Sequence, residues 1–125
     1  MSMIRIAQPY FTSKDGPSRI ARFDRLSLAA HDSLRNGEWE SLAESMNEAG
    51  HLLAEAGVVP PNLKDMITRT RELGAVAVKS TGAGGGGMII GLLPPNPSDE
   101  HHRHMVEQFK GHAIYRVTLN ADLPY

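Results

Sequence analysis

Apolar residues recur at three- and four-residue steps along much of the chain, and this spacing is typical of amphipathic helices. The clearest stretch runs from Trp39 to Ala56, where the glutamates fall mostly on the side opposite the apolar positions. A glycine follows each helical stretch, at the place where a helix commonly ends in a left-handed residue. The pattern predicts four helices, over about 18–35, 38–56, 62–73 and 98–110, with Ser18, Asn62 and Ser98 as start signals.

Strand-like segments occupy the remaining apolar stretches. Residues 75–80 are short and β-branched, residues 113–119 alternate between apolar and polar, and residues 3–8 alternate weakly before Pro9. The run 88–93 is apolar without alternation, which predicts a strand buried on both faces. The resulting order, β–α–α–α–β–β–α–β, indicates an α+β fold and approximates a ferredoxin-like, split βαββαβ sandwich with extra helices.

Length and composition fit a single small domain. The chain has 125 residues and no stretch that resembles a linker, so residues 1–125 are expected to form one domain with its own core. The sequence contains no cysteine. Disulfides, cysteine-ligated zinc and a cysteine nucleophile are therefore excluded.

Charge and hydropathy narrow the range of partners. The 13 Lys and Arg residues nearly balance the 14 Asp and Glu residues, for a formal net charge of -1, whereas nucleic-acid binding usually needs a basic excess. The longest apolar run, from Met88 to Leu93, is far shorter than the roughly 20 residues that cross a membrane. The first residues lack an apolar block of signal-peptide length. We expect no nucleic-acid partner, no membrane partner and a cytoplasmic location.

Glycine dominates the segment between the two central predicted strands, at Gly82 and from Gly84 to Gly87. Glycine loses more backbone entropy on folding than any other residue, so such a run indicates positive φ angles or a backbone that closely approaches a ligand. Successive free N–H groups in a loop form a nest that binds anions. Lys79 and Thr81 add a cation and a hydroxyl. The segment therefore predicts a site for a small anionic ligand.

Two familiar phosphate-binding motifs do not account for this glycine run. Gly82 and Gly87 have the spacing of a P-loop, but Met88 and Ile89 stand where lysine and serine or threonine contact phosphate and Mg²⁺. Gly82, Gly84 and Gly87 also satisfy the dinucleotide pattern G-x-G-x-x-G, yet a predicted strand follows where that motif needs a helix. A flexible hairpin tip without a ligand is the simple alternative.

Two segments of the chain resemble the GHMP small-molecule kinases. Residues 74–92 are similar to the third conserved motif of that family and most like its mevalonate kinase members, through Lys79-Ser80-Thr81-Gly82-Ala83-Gly84-Gly85-Gly86-Gly87. Residues 37–61 resemble the helical segment of the same kinases, through Gly37-Glu38-Trp39, Met46-Asn47 and His51-Leu52-Leu53. The segments occur in the family's order and spacing, and the resemblance extends over about residues 25–93.

The resemblance implies a C-terminal domain of the GHMP kinase type, with a ferredoxin-like α+β fold. In these kinases the third motif lies in the cleft, supports the phosphate-binding loop and borders the phosphoryl-transfer site. The phosphate- and nucleotide-site residues that it implies are Lys79, Thr81, Gly82, Ala83, Gly84, Gly85, Gly86 and Gly87. It further implies ATP and Mg²⁺ in a complete site, and a small hydroxy acid such as mevalonate as substrate.

Four residues depart from the family's pattern. Met88 stands where the family usually has cysteine or a similarly small residue, and Ser80 stands where a leucine-like residue is usual. Ala49 and Gly50 replace a common Asn-Gln pair. Glycine in the middle of a helix costs about 1 kcal/mol relative to alanine. These departures affect the substrate side of the implied site.

The family's ATP-binding glycine-serine motif, catalytic carboxylate and basic partner belong to an N-terminal half that this sequence does not show. We therefore expect no catalytic residue on this chain and no kinase activity from it alone. The expected partner is an N-terminal GHMP kinase half or, in a homo-oligomer, a second copy. The alternatives are a stand-alone ferredoxin-like module that binds an anion without chemistry, and a regulatory subunit in which the glycine run is a vestige.

A cluster of histidines is the remaining candidate site. His101 and His104 lie one turn apart on the last predicted helix, close to Asp99 and Glu100. Side chains at this spacing share a helix face and are able to hold a metal. A solvated helix start is the better explanation, because the sequence shows no further ligand set of the kind that metal sites use.

Overall fold

The computed structural model describes residues 3–81, 87–95 and 98–118, with side chains from residue 5 onward. Along these residues the elements are α1 Met3–Thr12, α2 Gly16–Asn36, α3 Trp39–Glu55, α4 Pro61–Glu72, β1 Ala77–Thr81, β2 Met88–Leu92 and α5 Asp99–Gln108. The two strands pair antiparallel, with Ala77 opposite Leu92 and Thr81 opposite Met88. The described part of the chain is therefore an α+β structure with a two-stranded sheet.

The core lies where α3 and α4 pack against β1. Leu52 on α3, Leu63 on α4 and Val78 on β1 are each no more than 2% exposed. On its other side α3 packs along α2, and Arg22 of α2 forms an ion pair with Glu48 of α3. Among the elements that the structure describes, the strand that leads into the glycine run is thus the most enclosed.

The sequence predicted the C-terminal ends of the helices more accurately than their N-terminal starts. Gly37 adopts a φ of 69° at the C-terminus of α2, a left-handed conformation that costs glycine nothing because it has no Cβ. The predicted start signals at Ser18 and Asn62 are wrong: α2 starts at Gly16, and α4 starts at Pro61 after Pro60. Proline suits the first turn because its φ is already helical and it lacks an N–H that would go unpaired. The predicted start at Ser98 is confirmed, since its hydroxyl accepts a hydrogen bond from the His101 N–H.

The strand predicted at residues 3–8 is wrong, because this segment forms the start of helix α1. The partly buried residues at 6, 7, 10 and 11 recur with helical spacing and face the neighbouring helix. The ring of Phe11 lies 5.7 Å from that of Phe23 on α2. Packing against α2 therefore overrides the short alternating pattern at the N-terminus.

The strand predicted at residues 113–119 is not formed over 113–118, and residue 119 lies outside the described residues. Tyr115 is 81% exposed and Val117 is 77% exposed. A strand needs an unpaired sheet edge beside it to satisfy its backbone groups. This segment lies on no such edge in the described structure, and Arg116 instead pairs with Asp99 of α5 at 3.2 Å.

The ferredoxin-like arrangement is not confirmed. It requires a strand before the helices and another after the last helix, and the chain has α1 in the first place and an irregular segment over 113–118 in the second. Within the residues described, the sheet contains β1 and β2 alone.

The prediction that β2 is buried on both faces is also wrong. Met88 is 63% exposed and Ile90 is 50% exposed, both on the face of the sheet opposite Gly91. The Gly91 side of the strand lies against Thr70 of α4, since a Cβ placed at Gly91 would be 3.2 Å from the Thr70 methyl group. The helices therefore cover one face of β2 and leave the other face uncovered.

No helix among the residues that the structure describes is long and apolar enough to cross a membrane.

Candidate functional site

The predicted anion site begins where β1 ends. Lys79 and Thr81 are part of β1, and Gly87 immediately precedes β2. The predicted site residues Gly82, Ala83, Gly84, Gly85 and Gly86 lie outside the described residues. Thr81 pairs with Met88, so the strand residues on the two sides of the glycine run are held side by side at the end of a hairpin.

Lys79 is half-buried in the middle of β1. Its Nζ donates a hydrogen bond to the carbonyl oxygen of Ser80 at 2.8 Å. Burial lowers the pKa of the Lys79 ammonium, because removing a charge from water disfavours the charged form. A partly desolvated ammonium attracts an anion more strongly than a fully hydrated one, since less water must be displaced. Lys79 is therefore the cation that this strand offers next to the glycine run.

The lowered pKa of Lys79 makes stability depend on pH in a defined direction. The folded chain releases this proton at a lower pH than the unfolded chain does, so the free energy of unfolding due to Lys79 rises with pH between those two pKa values. We expect Lys79→Met to reduce this rise in urea titrations carried out from neutral pH to above the ordinary lysine pKa. Lys64→Met, at an exposed position of α4, controls for the loss of one positive charge. An unchanged pH dependence in Lys79→Met would contradict the assignment.

Asn47 of α3 holds the outer edge of β1, the edge that faces away from β2. Its Nδ2 donates to the carbonyl oxygen of Val76 at 3.0 Å. Its Oδ1 accepts from the N–H of Val78 at 3.2 Å. One side-chain amide thus makes the donor and acceptor contacts that a neighbouring strand would make. The sequence prediction missed this role, because Asn47 is 31 residues away from Val78.

Arg71 of α4 completes the same network. Its Nη2 donates to Asn47 Oδ1 at 3.0 Å and to the carbonyl oxygen of Val78 at 3.4 Å. The strand edge is therefore clamped from two helices at once. We call Asn47, Arg71 and the edge of β1 that they bond the edge clamp. It fixes the position of the strand from which Lys79 and Thr81 project.

Gly50 of α3 lies directly against β1. A Cβ placed at Gly50 would be 3.1 Å from the Lys79 Cβ and 3.3 Å from the Val78 carbonyl oxygen. Such distances are shorter than comfortable van der Waals contact. The glycine that weakens the helix locally therefore allows α3 to approach the strand, and it lies one helical turn after Asn47. This close approach gives a structural reason for glycine at position 50.

In the described part of the chain no group of three or more histidine, aspartate or glutamate side chains is positioned to hold an ion, and this includes the histidines of α5. The ring of His101 packs over Gly74 instead, with Nε2 only 2.8 Å from the position that a Cβ would take there. Gly74 has a φ of 109° at the end of α4. His101 thus serves the packing of α5 against this turn.

The family model named GHMP kinases C terminal matches residues 30–111. The match begins within α2 and ends just after α5, so it contains the edge clamp, both strands and the glycine run. The chain belongs to the C-terminal domain family of the GHMP kinases.

Comparison with individual proteins shows which members of the family the chain is similar to. The mevalonate kinase of Aeropyrum pernix is 32% identical over 84 residues, which is 67% of this chain and 26% of that protein. The mevalonate kinase of Thermococcus sibiricus is 39% identical over 72 residues, or 58% of this chain and 21% of that protein. The galactokinase of Thermococcus kodakarensis is 31% identical over 91 residues, or 72% of this chain and 26% of that protein. The chain thus matches about a quarter of the length of these relatives. No solved structure matches it.

Proposed function

We propose that this chain is the C-terminal part of a mevalonate-kinase-like enzyme that transfers the γ-phosphate of ATP to a small hydroxy acid such as mevalonate. The observation that carries the proposal is the clamped strand β1, which presents Lys79 and Thr81 at the start of the glycine run in a chain similar to mevalonate kinases. The ATP that the reaction consumes makes the cytoplasm its place of action.

The chemistry of phosphoryl transfer supports this assignment. Catalysis of this reaction depends on positioning the phosphates and on neutralising the charge that develops on the transferred group. The Lys79 ammonium supplies a positive charge, and Thr81 supplies a hydroxyl. Gly82 and the four glycines from Gly84 to Gly87 supply backbone N–H groups at residues that have no Cβ atom. In the proposal these groups bind and orient the phosphates.

The same donor set fits the phosphates of ATP better than it fits a metal. An ammonium and backbone N–H groups donate hydrogen bonds, whereas Mg²⁺ takes oxygen ligands from carboxylates, water and phosphate. Lys79 and Thr81 would hold phosphate oxygens, and Mg²⁺, when bound, would neutralise charge on those oxygens. We assign the carboxylate that holds the metal to the N-terminal half of the enzyme, and we infer that the complete enzyme has the larger, ferredoxin-like sheet.

A split-enzyme assay tests the proposed function. We expect the 125-residue chain alone to show no turnover of ATP with mevalonate, because a partial cleft cannot bind the nucleotide and activate the acceptor hydroxyl together. Co-expression with the N-terminal half of an archaeal mevalonate kinase should restore turnover, measured as release of ADP. Turnover by the purified chain alone would contradict the need for a partner, and the absence of both complex and turnover with such halves would contradict the function.

Substitutions in the reconstituted enzyme test the role of the loop. Gly85→Val should reduce kcat/KM by a factor of about 100 or more, because a branched side chain would displace the phosphates by about an ångström. Thr81→Val keeps the shape of the residue and removes its hydroxyl, and we expect about a tenfold loss, equivalent to one hydrogen bond. Thr68→Val, at an exposed position of α4, is the matched control and should retain full activity. Equal activity in all three variants would contradict the proposal that the loop forms part of the phosphate site.

A stand-alone anion-binding module is the second candidate function. The edge clamp and the buried part of β1 are complete within this chain, so a binding strand exists without another half. Calorimetric titration of the isolated chain with inorganic phosphate, ATP and mevalonate phosphates distinguishes the two functions. Tight binding without a partner supports the module, and binding that appears only in the reconstituted enzyme supports the kinase.

A further inference from the structure

A partly open pocket lies between helices α2 and α3, next to strand β1. Its volume is about 150 Å³. The side chains that line it are mostly apolar and include Phe23, Leu26 and Ala30 of α2, Met46 and Ala49 of α3, and Lys79 of β1. A cavity of about this volume with apolar walls binds a molecule of the size of benzene. The pocket therefore has room for an apolar group of about six carbon atoms.

Lys79 is the one charged side chain among the described residues that line this pocket. Its ammonium is half-buried and donates to the neutral carbonyl oxygen of Ser80. In the part of the chain that the structure describes, no carboxylate lies within ion-pair distance of Lys79. Charges removed from water are normally paired with an opposite charge. The positive charge at this pocket is thus uncompensated, and one negative charge would balance it.

A buried hydroxyl also belongs to the pocket. Ser45 of α3 lines it and is 8% exposed. A serine hydroxyl donates one hydrogen bond, as an anion requires. Ligand sites typically combine apolar walls with a small number of polar groups that select the ligand. The pocket has this composition, with one ammonium and a buried hydroxyl as donors.

We propose that this pocket binds a short-chain monocarboxylate, with its apolar chain of about six carbon atoms between α2 and α3 and its carboxylate on the Lys79 ammonium. The single positive charge of Lys79 matches the single negative charge of a carboxylate. A phosphate monoester would bring a second negative charge into apolar surroundings, where an unpaired charge is costly. An ionised carboxylate accepts hydrogen bonds only, and the pocket offers it donors from Lys79 and Ser45.

A larger sheet in a complete enzyme leaves this pocket in place. The described residues that line the pocket belong to α2, α3 and β1. Asn47 and Arg71 occupy the outer edge of β1, so further strands would add beyond β2, on the opposite side of the sheet. The inference does not rest on the proposed kinase function, because it concerns binding by the chain alone. Kinase activity enters neither of its tests.

Titration of the 125-residue chain with sodium butanoate, hexanoate and octanoate, followed by NMR, tests the ligand class. Affinity should rise about fourfold for each methylene group from butanoate to hexanoate, and little further to octanoate, whose last carbons exceed the pocket. Hexanol has the same chain without the charge and should bind at least about tenfold more weakly than hexanoate. No binding of hexanoate, or equal binding of hexanol, would overturn the proposal.

Variants of the chain test the location of the site. Ala30→Leu fills the pocket and should weaken hexanoate binding at least about tenfold, whereas Ala29→Leu, at the exposed neighbouring position of α2, should bind like the natural chain. Lys79→Met removes the charge and should cause a loss of about tenfold or more, and Lys64→Met should cause none. Circular dichroism checks that each variant keeps its helices, and the hexanol comparison tests the charge without any substitution. Unchanged binding in Ala30→Leu would place the ligand elsewhere and refute the assignment.

Discussion

Replacing Asn47 with alanine is expected to lower the free energy of unfolding by about 3 kcal/mol. The substitution removes three hydrogen bonds and leaves the Val78 N–H without its partner, in a residue that is 1% exposed. A buried donor or acceptor that loses its partner costs about 1–3 kcal/mol. In a domain of this size the loss should lower Tm by about 10 °C. Urea and thermal denaturation measure both quantities.

Two companion variants make the Asn47 prediction specific. Asn47→Asp keeps an oxygen that accepts from Val78 and Arg71 but cannot donate to the Val76 carbonyl, so its loss should be smaller than that of alanine. Asn62→Ala, at an exposed position of α4, should change stability by less than about 0.5 kcal/mol. If Asn47→Ala proves as mild as Asn62→Ala, the edge clamp does not stabilise β1.

Replacing Gly50 with leucine is expected to destabilise the chain by about 2–3 kcal/mol, which is the usual range for overpacking. Helix propensity predicts the opposite sign, since leucine is more favourable than glycine by somewhat less than 1 kcal/mol. The new side chain would meet the backbone of β1, where even a Cβ lies 3.1 Å from the Lys79 Cβ. The helix would have to move away from the strand, which also stretches the Asn47 contacts.

The sign of the change in the free energy of unfolding shows whether helix propensity or packing against β1 is decisive at position 50. Ser41→Leu introduces the same residue at an exposed position near the start of α3 and should leave the free energy of unfolding nearly unchanged. Denaturation of both variants at one pH is sufficient. A Gly50→Leu variant more stable than the natural chain would show that α3 and β1 have room between them, and that helix propensity decides this position.

The sequence was most informative where structure depends on neighbours a few residues away. Helical periodicity identified α2 to α5, and glycines at 37, 57, 74 and 111 marked turns with positive φ. The hairpin of β1 and β2 followed from two short apolar runs around the glycines. Periodicity and turn chemistry are local properties, so the sequence carries them without reference to the rest of the fold.

One part of the candidate site could be predicted from the sequence, and another part could not. Its glycine run and the neighbouring Lys79 and Thr81 were visible in the sequence, because unusual composition and a family motif coincide there. The edge clamp was not visible, since Asn47 and Arg71 are 24 residues apart and meet only when α3 and α4 both pack against β1. A polar residue one turn before a mid-helix glycine was the available signal, and its meaning depends on what lies opposite.

By itself, then, the sequence determined the family, the helices α2 to α5, the hairpin and the glycine-rich composition of its loop. The tertiary structure decided that residues 3–12 form a helix, that Gly50 allows a close contact, and that β2 is exposed on one face. It also decided that Asn47 and Arg71 occupy the outer edge of β1. The physical reason is common to all four: each depends on which surface is buried against which, and burial is a property of elements brought together from distant parts of the chain.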